Sequence, residues 1–463
     1  VSFSLDSPPS YSYDIAFSLI ETKLPKNKND LVFYSLRELA YLIKNKEITS
    51  RELTEIFLDR IKKYNKKVNA VVTITDSVAF LQADKADIEI KKGKYRGPLH
   101  GIPYGIKDLA SYPGYPTTWG SMPFKNQFLE DKAEVIKKLE EAGAVMLCKL
   151  SSGSLARGDV WYGGKTLNPW DLSQGASGSS AGSASATAAS LLPFTIGTET
   201  LGSIISPSTR CGVTGLRPTY GAVSTDGFMT LSWSMDKVGP IAKSAIDCAI
   251  VFNEIKNSSL TARKKIKFDL NNQDLRVGYL KNLFDSDTSR YKSNNNTSLE
   301  LLRKRFELTP LELPSNYPFS SFDIILRAEA GAFFDDFILQ NMDSSMVEQG
   351  ERSRANSLRQ SRLIPAVEYI QANRFRSVLI KEVESLFKEF DVILSPSFGK
   401  NQLMITNLTG HPSISVPNGF DEKGRPTSIS LIGNYYEEYK ILYFADILQK
   451  NSNYHKLIPP GFE

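Results

Sequence analysis

The chain has 463 residues, 41% of them hydrophobic and 23% charged, with 56 basic against 51 acidic residues. That composition is globular, and its short lysine clusters, such as "IKKYNKK" (61–67), read as solvated helix faces rather than a nucleic-acid stripe. No apolar run reaches the roughly 18 residues of a membrane helix, and the three scattered cysteines, Cys148, Cys211 and Cys248, suggest buried thiols rather than disulfides or a zinc site.

In chain order, "YSLRELAYLIKNKEITSRELTEIFLDRIKKYN" (34–65) repeats apolar residues at three-and-four spacing, predicting two amphipathic helices with Ser35 and then Thr49 or Ser50 as N-caps. "VNAVVTIT" (68–75) predicts a buried strand, and "KAEVIKKLEEAGAVMLCKL" (132–150) a helix, a glycine stop and a strand. This alternation predicts an α/β fold whose sheet is covered by helices. The chain opens on Val1 with no signal pattern in residues 1–30, and its compartment, cytoplasmic or exported after loss of a signal peptide, stays open.

"QGASGSSAGSASATAAS" (174–190) has the composition of a linker. The turn "NPWD" (168–171) and the strand-like "FTIG" abut it, so it reads instead as a loop feeding a helix from about Ala184 to Leu192. Such a helix start offers unpaired N–H groups to an anion. The Walker and dinucleotide patterns are missing, which disfavours phosphate and leaves the oxyanion of acyl transfer. Acyl transfer needs a base, and none of His100, His411 and His455 sits in a setting that argues for a Ser-His-Asp triad, although distant positions can assemble one. Lys107, at the end of "GIPYGIKD" (101–108), is the other candidate, because a lysine led inward by a strand loses its proton near neutral pH.

Three motifs together resemble the amidase signature hydrolases: "GIPYGIKD", "SGSSAGS" (177–183) and "GTETLGSIISP" (197–207), with Ser203 lying 24 residues after Ser179. The likeness continues through residues 211–244, returns at 391–397 and 410–420, and finds no motif from about 258 to 388. The resemblance implies one large domain over 34–463 after an N-terminal extension (1–33), built on a central mixed sheet with helices on both faces. It implies Ser203 as nucleophile, Ser179 as a bridging serine after a cis peptide at Gly178, and Lys107 as base. The backbone of Thr200, Leu201, Gly202 and Ser203 would form the oxyanion hole, and no metal or other cofactor is expected. Trp161 and Tyr162 in "ARGDVWYGG" (156–164), with Gly178 and Ile205, are candidates for the substrate pocket, although aromatic clusters are more often core.

Four kinds of departure stand out. Ser177 and Ala181 replace loop glycines, Glu199 replaces an Asp, Leu201 a Gly, and Ile205 an Arg beside the nucleophile. The last, with the lack of a basic face, argues against close mimicry of the tRNA amidotransferase A subunits. The expected function is hydrolysis of a small-molecule carboxamide, extending to esters, anilides or carbamates, by a monomer or homodimer that binds no nucleic acid. The alternatives are a glutamine-amidohydrolase subunit of an amidotransferase and an inactive binding protein on the same fold.

Overall fold

The computed structural model describes residues 13–257, 264–268 and 275–463. Among them, eleven strands form one mixed sheet: β1 (Val71–Ile74), β2 (Pro103–Lys107), β3 (Val145–Leu150), β4 (Phe194–Glu199), β5 (Thr214–Arg217), β6 (Lys237–Ala242), β7 (Val277–Leu280), β8 (Leu308–Leu311), β9 (Val392–Pro396), β10 (Ser413–Phe420) and β11 (Pro426–Gly433). Their order across the sheet is β8-β7-β9-β11-β10-β5-β6-β4-β2-β3-β1, so the two portions of the chain carrying the quoted motifs share one surface. β2 runs parallel to both β3 and β4, and β6 pairs antiparallel with β4 from Phe194↔Ala242 to Glu199↔Lys237.

Helices pack on both faces of the sheet. α1 (Leu36–Lys44) and α2 (Ser50–Val68) begin at Ser35 and Thr49, each closed by a capping box with the glutamate three residues on, Glu38 and Glu52. Each box satisfies two backbone donors that a helix start otherwise leaves unpaired. α2 ends at Asn69, whose left-handed φ of 53° stops it before β1, and α3 (Asp76–Lys91) and α4 (Glu134–Glu141) follow β1 and β2 in the chain. β1 is an edge strand in which only Val71 is buried, so the buried strand predicted at 68–75 is half-exposed; β-branched composition marks a strand without fixing its place in the sheet.

α5 occupies Ala181–Ala188, starting three residues earlier than the expected Ala184, and every residue in it is buried. Alanine, glycine and serine are small enough for that helix to lie tightly against the sheet, so the composition serves close packing rather than flexibility. The stretch set apart as an N-terminal extension is described from Tyr13 onward; Tyr13–Ala16 pairs with Lys264–Lys267, and Leu31 and Val32 join the main core. All three cysteines are buried free thiols. No helix among the described residues is long and apolar enough to cross a membrane.

Candidate active site

β2, third from the sheet's edge, ends at Lys107, which has no exposed surface. Its Nζ donates to Ser179 Oγ and Thr198 Oγ1, both at 2.8 Å, and more weakly to the Thr198 carbonyl at 3.5 Å. No carboxylate among the described residues forms an ion pair with it. Burial draws its pKa down to about 7, against the opposing pull of Asp236 and Glu199. The adjacent Asp108, the natural partner for a structural Lys107, instead pairs with Lys149 at 2.8 Å.

Ser179 follows a cis peptide bond after Gly178. A Cβ at Gly178 would lie 1.8 Å from the Gly158 carbonyl oxygen, so no side chain fits there. Ser180 ties this loop to β4: its Oγ donates to the Thr198 carbonyl at 3.0 Å and accepts the Thr198 N–H at 3.1 Å, while its own N–H donates to the Ser203 carbonyl at 3.1 Å. The two serine-bearing segments are therefore locked side by side.

Ser203 lies in the turn between β4 and α6 (Ile205–Cys211). Gly202 takes a φ of +83°, a left-handed conformation that suits glycine. Glu199, fully buried, anchors the far side of this turn: its Oε2 accepts the N–H groups of Ile204 and Ile205 at 2.8 and 2.9 Å, and its Oε1 accepts Arg217 Nη1 at 2.9 Å and Asn407 Nδ2 at 2.8 Å. Burial raises the Glu199 pKa, but Arg217 and these N–H groups outweigh it and hold the carboxyl below its usual range. On the other side, Thr200 Oγ1 donates to Asp236 at 2.6 Å, and Asp236 also accepts the N–H groups of Leu231 and Ser232. The N–H groups of Leu201, Gly202 and Ser203 find no acceptor among the described residues.

Ser179 and Ser203 both line a cavity of about 390 Å³, together with Gly178, Thr200 and Leu201. No hydrogen bond joins the two serine hydroxyls, so the Lys107–Ser179 link is made and the Ser179–Ser203 link is open. Resting catalytic hydrogen bonds are commonly long and tighten only with substrate. The cavity wall is charged: Arg157, Arg327, Arg352 and Arg354 face Asp323 and Glu351. Arg354 is held by the carbonyls of Leu155 and Ala156, while Arg157 and Arg352 are exposed.

Trp161, Tyr162 and Ile205 do not line this cavity; of the proposed pocket residues, Gly178 does. Trp161 stacks edge-on against Tyr162 with centroids 4.9 Å apart and covers Gly163, Trp119 packs against Phe124 and Phe334, and Ile205 is buried in α6. The cavity wall carries no aromatic side chain, so the aromatic pocket expected from "ARGDVWYGG" is an internal cluster. Aromatic rings bury large area, and here that served the core.

The histidines also stand elsewhere. His100 lies against Glu89, and burial, then the Arg96 charge, takes its pKa down to about 4. His411 is stacked between Phe387 and Tyr435 and pushed down to about 3 by burial. Sequence reasoning missed Thr198, Asp236 and the arginines, although Thr198 lay inside "GTETLGSIISP", Asp236 inside the 211–244 stretch and Arg157 inside "ARGDVWYGG".

The family described as Amidase matches residues 52–406. The chain is 32% identical to the A subunit of glutamyl-tRNA(Gln) amidotransferase from Acinetobacter baumannii strain AYE, over 92% of this chain and 97% of that protein, and 32% identical to its namesake from Nitrosomonas europaea, over 92% and 98%. Among solved structures it resembles native peptide amidase from Stenotrophomonas maltophilia, with a TM-score of 0.81, 25% identity and coverage of 94% and 100%. A bacterial aryl acylamidase at 20% identity shares the fold, with a TM-score of 0.80 over 93% and 99% of the two chains.

Proposed function

The chain belongs to the amidase family, enzymes that act on amide C–N bonds, and from that premise we propose that it hydrolyses a carboxamide through an acyl-enzyme on Ser203. The observation that carries this reading is Lys107, buried without a carboxylate and hydrogen-bonded to Ser179 at the floor of the cavity that Ser203 lines. A neutral lysine has a lone pair to accept the Ser179 proton, and Ser179 in turn takes the proton of Ser203 as Ser203 Oγ bonds to the amide carbon.

The oxyanion formed then meets the free N–H groups of Leu201, Gly202 and Ser203, with Thr200 at the edge, each donor being worth roughly 3–4 kcal/mol in the transition state. Collapse breaks the C–N bond, and Ser179 gives its proton to the departing amine and regains one from Lys107, which returns to the neutral form. Water repeats the sequence to release the acid. Four arginines against two carboxylates favour a substrate that carries negative charge, and the lack of rings in the wall disfavours aryl amides.

A second reading, a glutamine-amidohydrolase subunit of an amidotransferase, is favoured by the 32%-identical relatives and by arginines suited to an amino-acid carboxylate. Turnover by the lone chain separates the two. Hydrolysis of succinamate over its uncharged methyl ester by about tenfold or more in kcat/KM, lost in Ser203→Ala, supports the first. Activity on glutamine alone, and only once partner subunits are added, supports the second. An active Ser203→Ala variant contradicts both.

A further inference from the structure

A cavity of about 600 Å³ lies away from Ser203. Three segments leading from the catalytic centre converge on it. α5 runs from the Ser179 loop to Ala188, just before Ser190, β4 runs back from Glu199 to Phe194, next to the lining residues Leu192 and Pro193, and β6 runs from Lys237 to Ala242, next to Lys243. Since β4 has six residues, the two cavities stand about 17–20 Å apart along one pair of strands.

Its wall carries four cations, Arg37, Lys243, Lys450 and Lys456, against three carboxylates, Glu38, Asp247 and Asp446. Each of its carboxylates is engaged: Asp247 accepts the Leu36 N–H at 3.1 Å, Glu38 accepts the Ser35 N–H and hydroxyl, and Asp446 pairs with Lys450. Three cations, by contrast, have no carboxylate partner among the described residues. Lys243 Nζ donates to Ser190 Oγ at 2.5 Å and lies over the Phe33 ring at 5.6 Å. Arg37 donates to the carbonyl and hydroxyl of Ser18, and Lys456 is exposed at the rim. His455 lines the same wall, and its buried Nδ1 has no partner. The rest of the wall mixes apolar side chains, Phe33, Leu192 and Ile246 among them, with the polar Ser35, Ser244, Gln449 and Asn453.

We propose that this cavity is a second, non-catalytic site for an organic anion, a carboxylate head held by Lys243, Arg37 and Lys456 with an apolar body against Phe33 and Ile246. The volume lies within the range of small-molecule sites, and a few convergent polar groups on an apolar wall are their usual make-up. Dispersed surface lysines would not set a cation whose contacts are a hydroxyl and a ring face beside Phe33, Leu192 and Ile246 in one concave wall.

Calorimetric titration of sodium octanoate into the full chain carrying Ser203→Ala tests the site independently of catalysis. Saturable binding is expected with a Kd of about 1 mM or below, and octylammonium, with the same tail and opposite charge, should not bind. Arg37→Gln and Lys456→Ala, both at the surface, should each weaken octanoate by about tenfold, and Lys243→Met should abolish it. Failure to saturate, equal binding of octylammonium, or octanoate affinity unmoved in Arg37→Gln and Lys456→Ala would overturn the proposal. Competition of octanoate by succinamate would place the ligand in the catalytic cavity and overturn it as well.

Discussion

Lys107 and Lys149 stand on neighbouring parallel strands, with Ile106 opposite Lys149 and Lys107 opposite Leu150, and neither side chain is exposed. Burial depresses both, yet their surroundings differ in one respect. Lys149 meets Asp108 at 2.8 Å and adds the Pro116 carbonyl and Thr117 Oγ1, whereas Lys107 meets hydroxyls and a carbonyl. At an effective dielectric of about 20, an ion pair at that separation has a gross attraction of about 6 kcal/mol, which favours the charged form strongly. Position on a buried strand therefore does not make a lysine a base; what matters is which neighbour takes the nearest carboxylate.

This contrast bears most heavily on catalysis. Lys107→Met should lower kcat by about 10³-fold or more with KM little changed, and Lys107→Arg should be as poor, because guanidinium keeps its proton. Lys149→Arg should stay active, since it preserves the charge beside Asp108. Steady-state kinetics on the four proteins, wild type included, checks this; an active Lys107→Arg would erase the distinction between the two lysines.

Lys149→Met reverses the pattern. It strands the Asp108 carboxylate in the interior and should destabilise the fold by about 3–5 kcal/mol, with kcat of the folded fraction within a few-fold of wild type. Adding Asp108→Asn should recover part of the loss, and urea denaturation reads both. Lys107→Met, removing a buried amine without a carboxylate partner, should not show that penalty.

Much of the Lys107 side of this contrast was legible in the sequence, and the Lys149 side was not. Three short motifs with fixed spacing marked Lys107, Ser179 and Ser203, because the backbone turns there admit few residue types, as the crowded Gly178 and the left-handed Gly202 illustrate. "AVMLCKL" reads as an apolar strand and hides a lysine whose partner lies on another strand's end. The arginines at 327, 352 and 354 come from the stretch without motifs and are brought to the cavity by tertiary packing. Ring-rich sequence signals burial, whether in a pocket or in the core, so the aromatic segment named pocket candidates without deciding between the two.

A subtler shift is expected at Glu199, which raises the Lys107 pKa through its charge and pins the N–H groups after Ser203. In Glu199→Gln the first influence is removed, so Lys107 becomes neutral at lower pH and the acid limb of the rate profile should move below its wild-type midpoint. Loosening of the turn should cost about tenfold in kcat. An unmoved midpoint would separate Lys107 from that limb.

The role of Lys107 is read out by the pH dependence of covalent labelling with a fluorophosphonate, followed by intact and peptide mass. Because protonated Lys107 has no lone pair to offer, labelling should rise as pH passes about 7, the value to which burial brings this lysine, and level off above it. The adduct should sit on Ser203, and Lys107→Met should suppress it across the range. A rate that stays flat from about pH 5 to about pH 9 with the adduct on Ser203, or an adduct on another residue, would contradict the assignment of Lys107 as the base for Ser203.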